Sequence, residues 1–84
     1  MVRASYTIKN EEGLHARPAT DFCKTAGSFE SDITVIKDGE EFEAKSILMV
    51  LCMGAVKGDT IELVIDGKDE REALDALIKT LDSE

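Results

Sequence analysis

Seven residues, Gly13-Leu14-His15-Ala16-Arg17-Pro18-Ala19, hold the chain's one histidine and its one proline. The proline follows the histidine by three positions, at the head of an alanine-rich, helix-compatible run. Proline fits the first turn of a helix, where an amide would have no intrahelical acceptor. This places His15 at the N-cap or beside it, with Ala16, Arg17 and Pro18 in the first turn. The backbone N–H groups of Ala16 and Arg17 are then unpaired and aimed past the imidazole. Free amides at a helix N-terminus attract anions, phosphate above all. Arg17 adds a guanidinium fork suited to phosphate oxygens. An imidazole beside a phosphate cradle suggests a phosphohistidine. A lone histidine is more often a surface residue with no chemistry, so the residues alone support an anion-binding site whose histidine is a candidate nucleophile.

The elements that must carry this site follow from the apolar pattern. Val2 to Ile8 alternates, with Val2, Ala4, Tyr6 and Ile8 on one side, which predicts a half-buried strand. Lys9 to Gly13 is a polar loop. A helix follows over about Ala16 to Ala26, with Ala19, Phe22, Cys23 and Ala26 on its inner face and Gly27 as its stop. Ile33 and Val35 mark a second strand, Asp38-Gly39 a hairpin, and Glu40 to Ala44 the return strand with Phe42 facing inward. Ser46 is a natural N-cap for a short helix that Gly54 can end. That helix is apolar nearly all round, so some of Ile47, Leu48 and Leu51 should lie exposed. Lys57-Gly58-Asp59 turns the chain into a fourth strand through Ile61, Leu63 and Ile65, which Gly67 breaks. Asp69 and Glu72 have capping-box spacing before an amphipathic helix marked by Ala73, Leu74, Leu77, Ile78 and Leu81. The order β-α-β-β-α-β-α predicts an α+β domain with an antiparallel sheet and helices on one face.

Here the sequence resembles the HPr family, the histidine-containing phosphocarriers of the bacterial phosphoenolpyruvate:sugar phosphotransferase system. Gly13-Leu14-His15-Ala16-Arg17-Pro18-Ala19 is similar to the family's active-site signature, and Lys45-Ser46-Ile47-Leu48 to its second motif. The resemblance covers the whole chain and implies an open-faced β-sandwich, a four-stranded antiparallel sheet with three helices on one face. It implies that His15 Nδ1 accepts a phosphoryl group from phospho-Enzyme I and passes it to a sugar-specific Enzyme IIA. Arg17 and the amides of Ala16 and Arg17 would stabilise that group. Imidazole suits the task because its reference pKa, roughly 6.5, leaves a neutral nucleophile near neutral pH. Such a protein is a stoichiometric carrier and not a turnover enzyme, and it needs no cofactor. Ser46 would be a regulatory phosphorylation site for HPr kinase/phosphorylase, with a transcriptional regulator as a further partner. Thr20, Ile47, Leu48 and Leu51 would form the docking surface. The alternative is a regulatory module of the same fold, in the carbon-catabolite or nitrogen-related branch, acting through partner binding. The family includes a regulatory relative whose active histidine is replaced, and the histidine retained at position 15 argues against that reading.

Composition sets bounds on the rest. Eighty-four residues predict one domain, residues 1–84, with a modest core. The apolar fraction of 43% is that of a folded protein, and the net charge of −8 argues against nucleic acid or an anionic membrane as partner. No signal peptide or membrane-spanning run is visible, so a cytoplasmic monomer is expected. Cys23 and Cys52 read as reduced, half-buried thiols, and no Asp, Glu and His set has metal-ligand spacing. Three positions depart from the family pattern: Glu12 and Cys52, where small polar residues are usual, and Met49, where glycine is frequent. The extra carboxylate of Glu12 would repel a phosphate on His15.

Overall fold

The computed structural model describes residues 1–83, so Glu84, the last residue of the expected domain, lies outside the described residues. Seven elements follow in chain order: β1 (Val2–Thr7), α1 (Ala16–Gly27), β2 (Asp32–Lys37), β3 (Glu40–Glu43), α2 (Ile47–Met53), β4 (Thr60–Asp66) and α3 (Glu70–Ser83). The strands form one antiparallel sheet in the order β1-β4-β2-β3. β4 is therefore central, with Tyr6 opposite Ile61 on one side and Val35 opposite Leu63 on the other. Period-two alternation puts Tyr6, Ile33, Val35, Ile61, Leu63 and Ile65 on the inner face. The outer face carries polar pairs, among them Arg3 on Glu62 through two bonds of 3.1 Å and Thr7 on Thr60 at 3.0 Å.

The three helices cover the inner face, and α1 packs against both α2 and α3. Ala19, Phe22 and Ala26 of α1 meet Val50 and Met53 of α2 and Ala73, Leu77 and Leu81 of α3 in one cluster. Phe22 is fully buried at its centre. Truncating such a ring to alanine costs about 3–5 kcal/mol, a large share of a small domain's stability. Cys23, Phe29, Phe42, Leu74 and Ile78 pack against the rim, as their spacing predicts. The Asp38-Gly39 turn has positive φ at both positions, 53° and 82°, the mirror-image geometry that matches strand twist.

Two helix ends differ from expectation. Gly27 lies inside α1, and the helix closes on Ser28, whose hydroxyl donates to the Thr25 carbonyl at 2.7 Å. A side-chain donor there replaces the left-handed glycine stop. Asp69 makes no capping box with Glu72. Its carboxylate instead accepts from the Glu30 and Ser31 amides at 2.9 and 3.0 Å and from the Ser31 hydroxyl. Glu70 reaches back to the Gly67 amide at 3.1 Å. A tertiary partner brought alongside by the fold has taken the cap residue. Among the described residues, no helix is long and apolar enough to cross a membrane.

Candidate functional site

Loop 9–13 leads from β1 to His15 and is bonded to itself and to a second loop. The Asn10 side-chain amide donates to the Gly13 carbonyl at 2.9 Å, and the Gly13 amide donates to the Asn10 carbonyl at 3.2 Å. Gly13 has φ 66°, and a Cβ there would collide with the Ala55 carbonyl oxygen and lie 2.8 Å from Val56 Cα. Only glycine combines that dihedral with that approach. Leu14 is buried, and its amide donates to the Ala55 carbonyl at 2.9 Å. The Lys57 ammonium meets the Glu11 carboxylate at 2.5 Å across the two loops. The buried Leu14 and the buried Pro18 and Ala19 thus flank an exposed stretch, His15 to Arg17.

His15 is the N-cap of α1, extended at φ −143° and ψ 158°, and its side chain makes no cap hydrogen bond. The ring is left exposed and uncommitted. Ala16 departs from the expected first turn: its φ is +52°, in the left-handed region. For a residue with a Cβ this costs about 1–2 kcal/mol. A left-handed residue leading into helical ones turns successive N–H groups toward one concavity, the nest geometry that attracts anions. The amides of Ala16 and Arg17 stand at the helix start, where no intrahelical acceptor reaches them. The Arg17 side chain is 87% exposed, and its Nε lies 3.7 Å from Asp21 one turn along α1. It is free to swing toward an anion at His15. Thr20 is exposed, and its hydroxyl donates to the Ala16 carbonyl at 3.2 Å. Glu12 is exposed, and no hydrogen bond or ion pair engages its carboxylate among the described residues.

The second motif lies at the far end of α2. Ser46 is the N-cap, and its hydroxyl oxygen accepts from the Met49 amide at 3.3 Å. The Lys45 ammonium donates to the Phe29 carbonyl at 2.9 Å, beyond the end of α1. Gly54, at φ 64°, ends the helix in the left-handed conformation. Since Ala55 bonds Leu14, the C-terminal end of α2 is the end beside His15. Ser46 stands about 10 Å away along the axis, at 1.5 Å per residue. Ile47, Leu48 and Leu51 are exposed, Leu48 at 69%. Val56, 56% exposed, extends this patch toward His15. Sequence reading missed Val56 and Asn10. An Asn three residues before a glycine was the available signal for Asn10; nothing local singles out Val56. Cys52 is exposed and not half-buried as expected, because on a seven-residue helix packed through Val50 and Met53 it faces away. Cys23 is half-buried, and burial pushes its thiol pKa up. Among the described residues no group of three or more His, Cys, Asp or Glu could hold a metal ion.

Comparison with known proteins bears on this arrangement. A family model described as the PTS HPr component phosphorylation site matches residues 2–83. The HPr-like protein Crh of Halalkalibacterium halodurans is 40% identical over 84 residues, spanning all of both chains. The phosphocarrier protein HPr of Cupriavidus necator is 41% identical over 78 residues, 93% of this chain and 88% of that one. The crystal structure of HPr-C-His from Thermoanaerobacter tengcongensis superposes with a TM-score of 0.96 at 42% identity, covering 99% of this chain and 93% of that chain.

Proposed function

The chain belongs to the HPr family of phosphocarriers, and from that premise we propose that one domain carries a phosphoryl group on His15 between phospho-Enzyme I and a sugar-specific Enzyme IIA. The observation that carries the reading is the placement of His15: an exposed ring, free of any cap bond, at a helix N-terminus whose first amides have no intrahelical acceptor. Nδ1 attacks phosphorus, and the Nδ1–P bond forms as the donor's bond to phosphorus breaks. The reverse step delivers the group to the acceptor, so the protein is a reactant in both. Little covalent chemistry falls to the other residues, and positioning with charge neutralisation does the rest. The amides of Ala16 and Arg17 and the guanidinium of Arg17 supply it. Thr20, Ile47, Leu48, Leu51 and Val56 form the surface on which a partner lands, and a regulatory phosphate on Ser46 would sit at its far edge. The carrier acts as a cytoplasmic monomer.

Incubation with Enzyme I and phosphoenolpyruvate, followed by mass spectrometry, tests this directly. One acid-labile, base-stable phosphate is expected on His15. His15→Ala should lose it and keep the fold, and undiminished labelling of the variant would overturn the reading.

A second reading has its own support, since one relative that matches this chain from end to end is an HPr-like Crh protein. In that reading the domain regulates through Ser46 and partner binding. The two part at the next step: a carrier's label passes to an Enzyme IIA, and a regulator's does not.

A further inference from the structure

Both ends of the loop that delivers His15 are hydrogen-bonded to one segment, Ala55 to Asp59. At the start, the Ile8 amide donates to the Asp59 carbonyl and the Gly58 amide donates to the Ile8 carbonyl, each at 2.9 Å. At the far end, the Leu14 amide donates to the Ala55 carbonyl at 2.9 Å. This segment lies between α2 and β4, outside any regular element, so local bonds must set its shape. Two of them are reciprocal. The Asp59 amide donates to the Val56 carbonyl at 3.0 Å, and the Val56 amide donates to Asp59 Oδ2 at 2.9 Å. Among the described residues, that carboxylate is the one side-chain acceptor bonded to the segment's backbone amides. The Lys37 ammonium, at the end of β2, bonds Asp38 at 3.1 Å and lies 3.8 Å from the same Asp59 oxygen, an attraction without a hydrogen bond. Gly13 passes so close to Ala55 and Val56 that the segment cannot shift without moving the residues next to His15.

We propose that Asp59 is a positioning residue for His15: its carboxylate closes the Val56–Asp59 turn, and that turn clamps the loop from which His15 projects. Asp59 touches no reacting atom. It acts through the Val56 amide, the Ala55 carbonyl and the Leu14 amide. Its effect on phosphoryl transfer rests on the carrier reading above, whereas the clamp is a property of the fold.

Amide hydrogen exchange of Leu14 and the rate of His15 phosphorylation by Enzyme I, measured on the full chain, test both levels. Asp59→Ala should speed Leu14 exchange about tenfold, on the scale of losing one charge-assisted hydrogen bond, relative to Ile61 and Leu63 in the same sample. It should lower the maximal transfer rate more than the apparent affinity for Enzyme I. Asp59→Asn keeps a side-chain oxygen acceptor and should restore both quantities. Asp69→Asn, which weakens a tether elsewhere in the fold, should lower Tm without slowing transfer. Unchanged Leu14 exchange in Asp59→Ala, no rescue by Asn, or equal slowing in Asp69→Asn would overturn the proposal. If wild-type protein takes no phosphate on His15, the carrier reading fails by itself, and the Leu14 exchange still decides whether Asp59 holds the loop.

Discussion

On the carrier reading, Arg17 would bring charge to the site and Ala16 shape. Arg17 has little packing to lose, and its pair with Asp21 is an exposed contact of the kind worth a few tenths of a kcal/mol. Its guanidinium is therefore free to meet a phosphoryl group on the proposed carrier reading. Arg17→Ala is expected to slow transfer to and from His15 by roughly 10²-fold, the scale of one lost charge stabiliser, while Tm changes little. Stopped-quench labelling and a thermal melt distinguish this from a packing role, for which the melt would move first. Ala16 contributes through its backbone, held at φ +52°. Glycine accepts that dihedral without a Cβ penalty, so Ala16→Gly should stabilise the protein by up to about 1 kcal/mol in urea titration. A loss of stability would mean that the left-handed conformation is not maintained in solution.

α2 is too short to be stable alone, and its ends matter in proportion. Ser46 holds one end through the Met49 amide, and left-handed Gly54 closes the other. Ser46→Ala should cost about 1 kcal/mol, the usual loss for such a cap. Aspartate caps as well as serine does, and its charge suits the helix N-terminus, so Ser46→Asp should keep the stability. Binding should respond differently. If the proposed partner Enzyme I is acidic at the contact, a desolvated like-charge pair there opposes binding, and affinity should fall by roughly tenfold or more. Part of that loss is Coulombic and should shrink as salt rises. Titration of Enzyme I against wild type and Ser46→Asp at two ionic strengths checks this, and equal affinities would reduce Ser46 to a helix cap.

At the scale of the molecule, carboxylates in α3 and in the turn before it tie that helix to β1 and to the loop ahead of β2, and this makes stability depend on pH. The Ser31 hydroxyl, then the Glu30 amide, hold the Asp69 carboxyl below the usual carboxylate range. The Tyr6 hydroxyl, with Lys9, does the same for Asp82 in α3. A carboxyl with a depressed folded pKa adds stability that is present above its unfolded pKa, roughly 3.9, and is lost as pH falls through the folded value. Asp69→Asn should therefore be less stable than wild type at neutral pH, with the gap closing below about pH 4 in equilibrium unfolding. A gap independent of pH would mean that the carboxylate charge plays no part. Tyr6 works in the opposite sense. Burial, then Asp82, raises its pKa to about 12, so its contribution holds below about 10 and fades as pH climbs through 12.

The sequence by itself determined the element order, the inner faces of the strands and helices, a cap at Ser46 and at or beside His15, and the exposure of some of Ile47, Leu48 and Leu51; the structure puts the cap at His15 and exposes all three apolar residues. The features read from sequence follow from local periodicity and from residue types whose backbone preferences act over a turn or two. Proline three residues after His15 and aspartate-glycine in the hairpin are signals of this kind. Only the tertiary structure decided what Asp69 caps, which end of α2 faces His15, and that Asp59 frames the histidine loop. Each depends on partners far apart in sequence, Ser31 with Asp69 and Leu14 with Ala55, whose meeting is set by the β1-β4-β2-β3 strand order. The positive φ of Ala16 belongs with them. Alanine has no preference for that conformation, and it persists because Leu14 before it and Pro18 after it are both buried and hold the chain on either side.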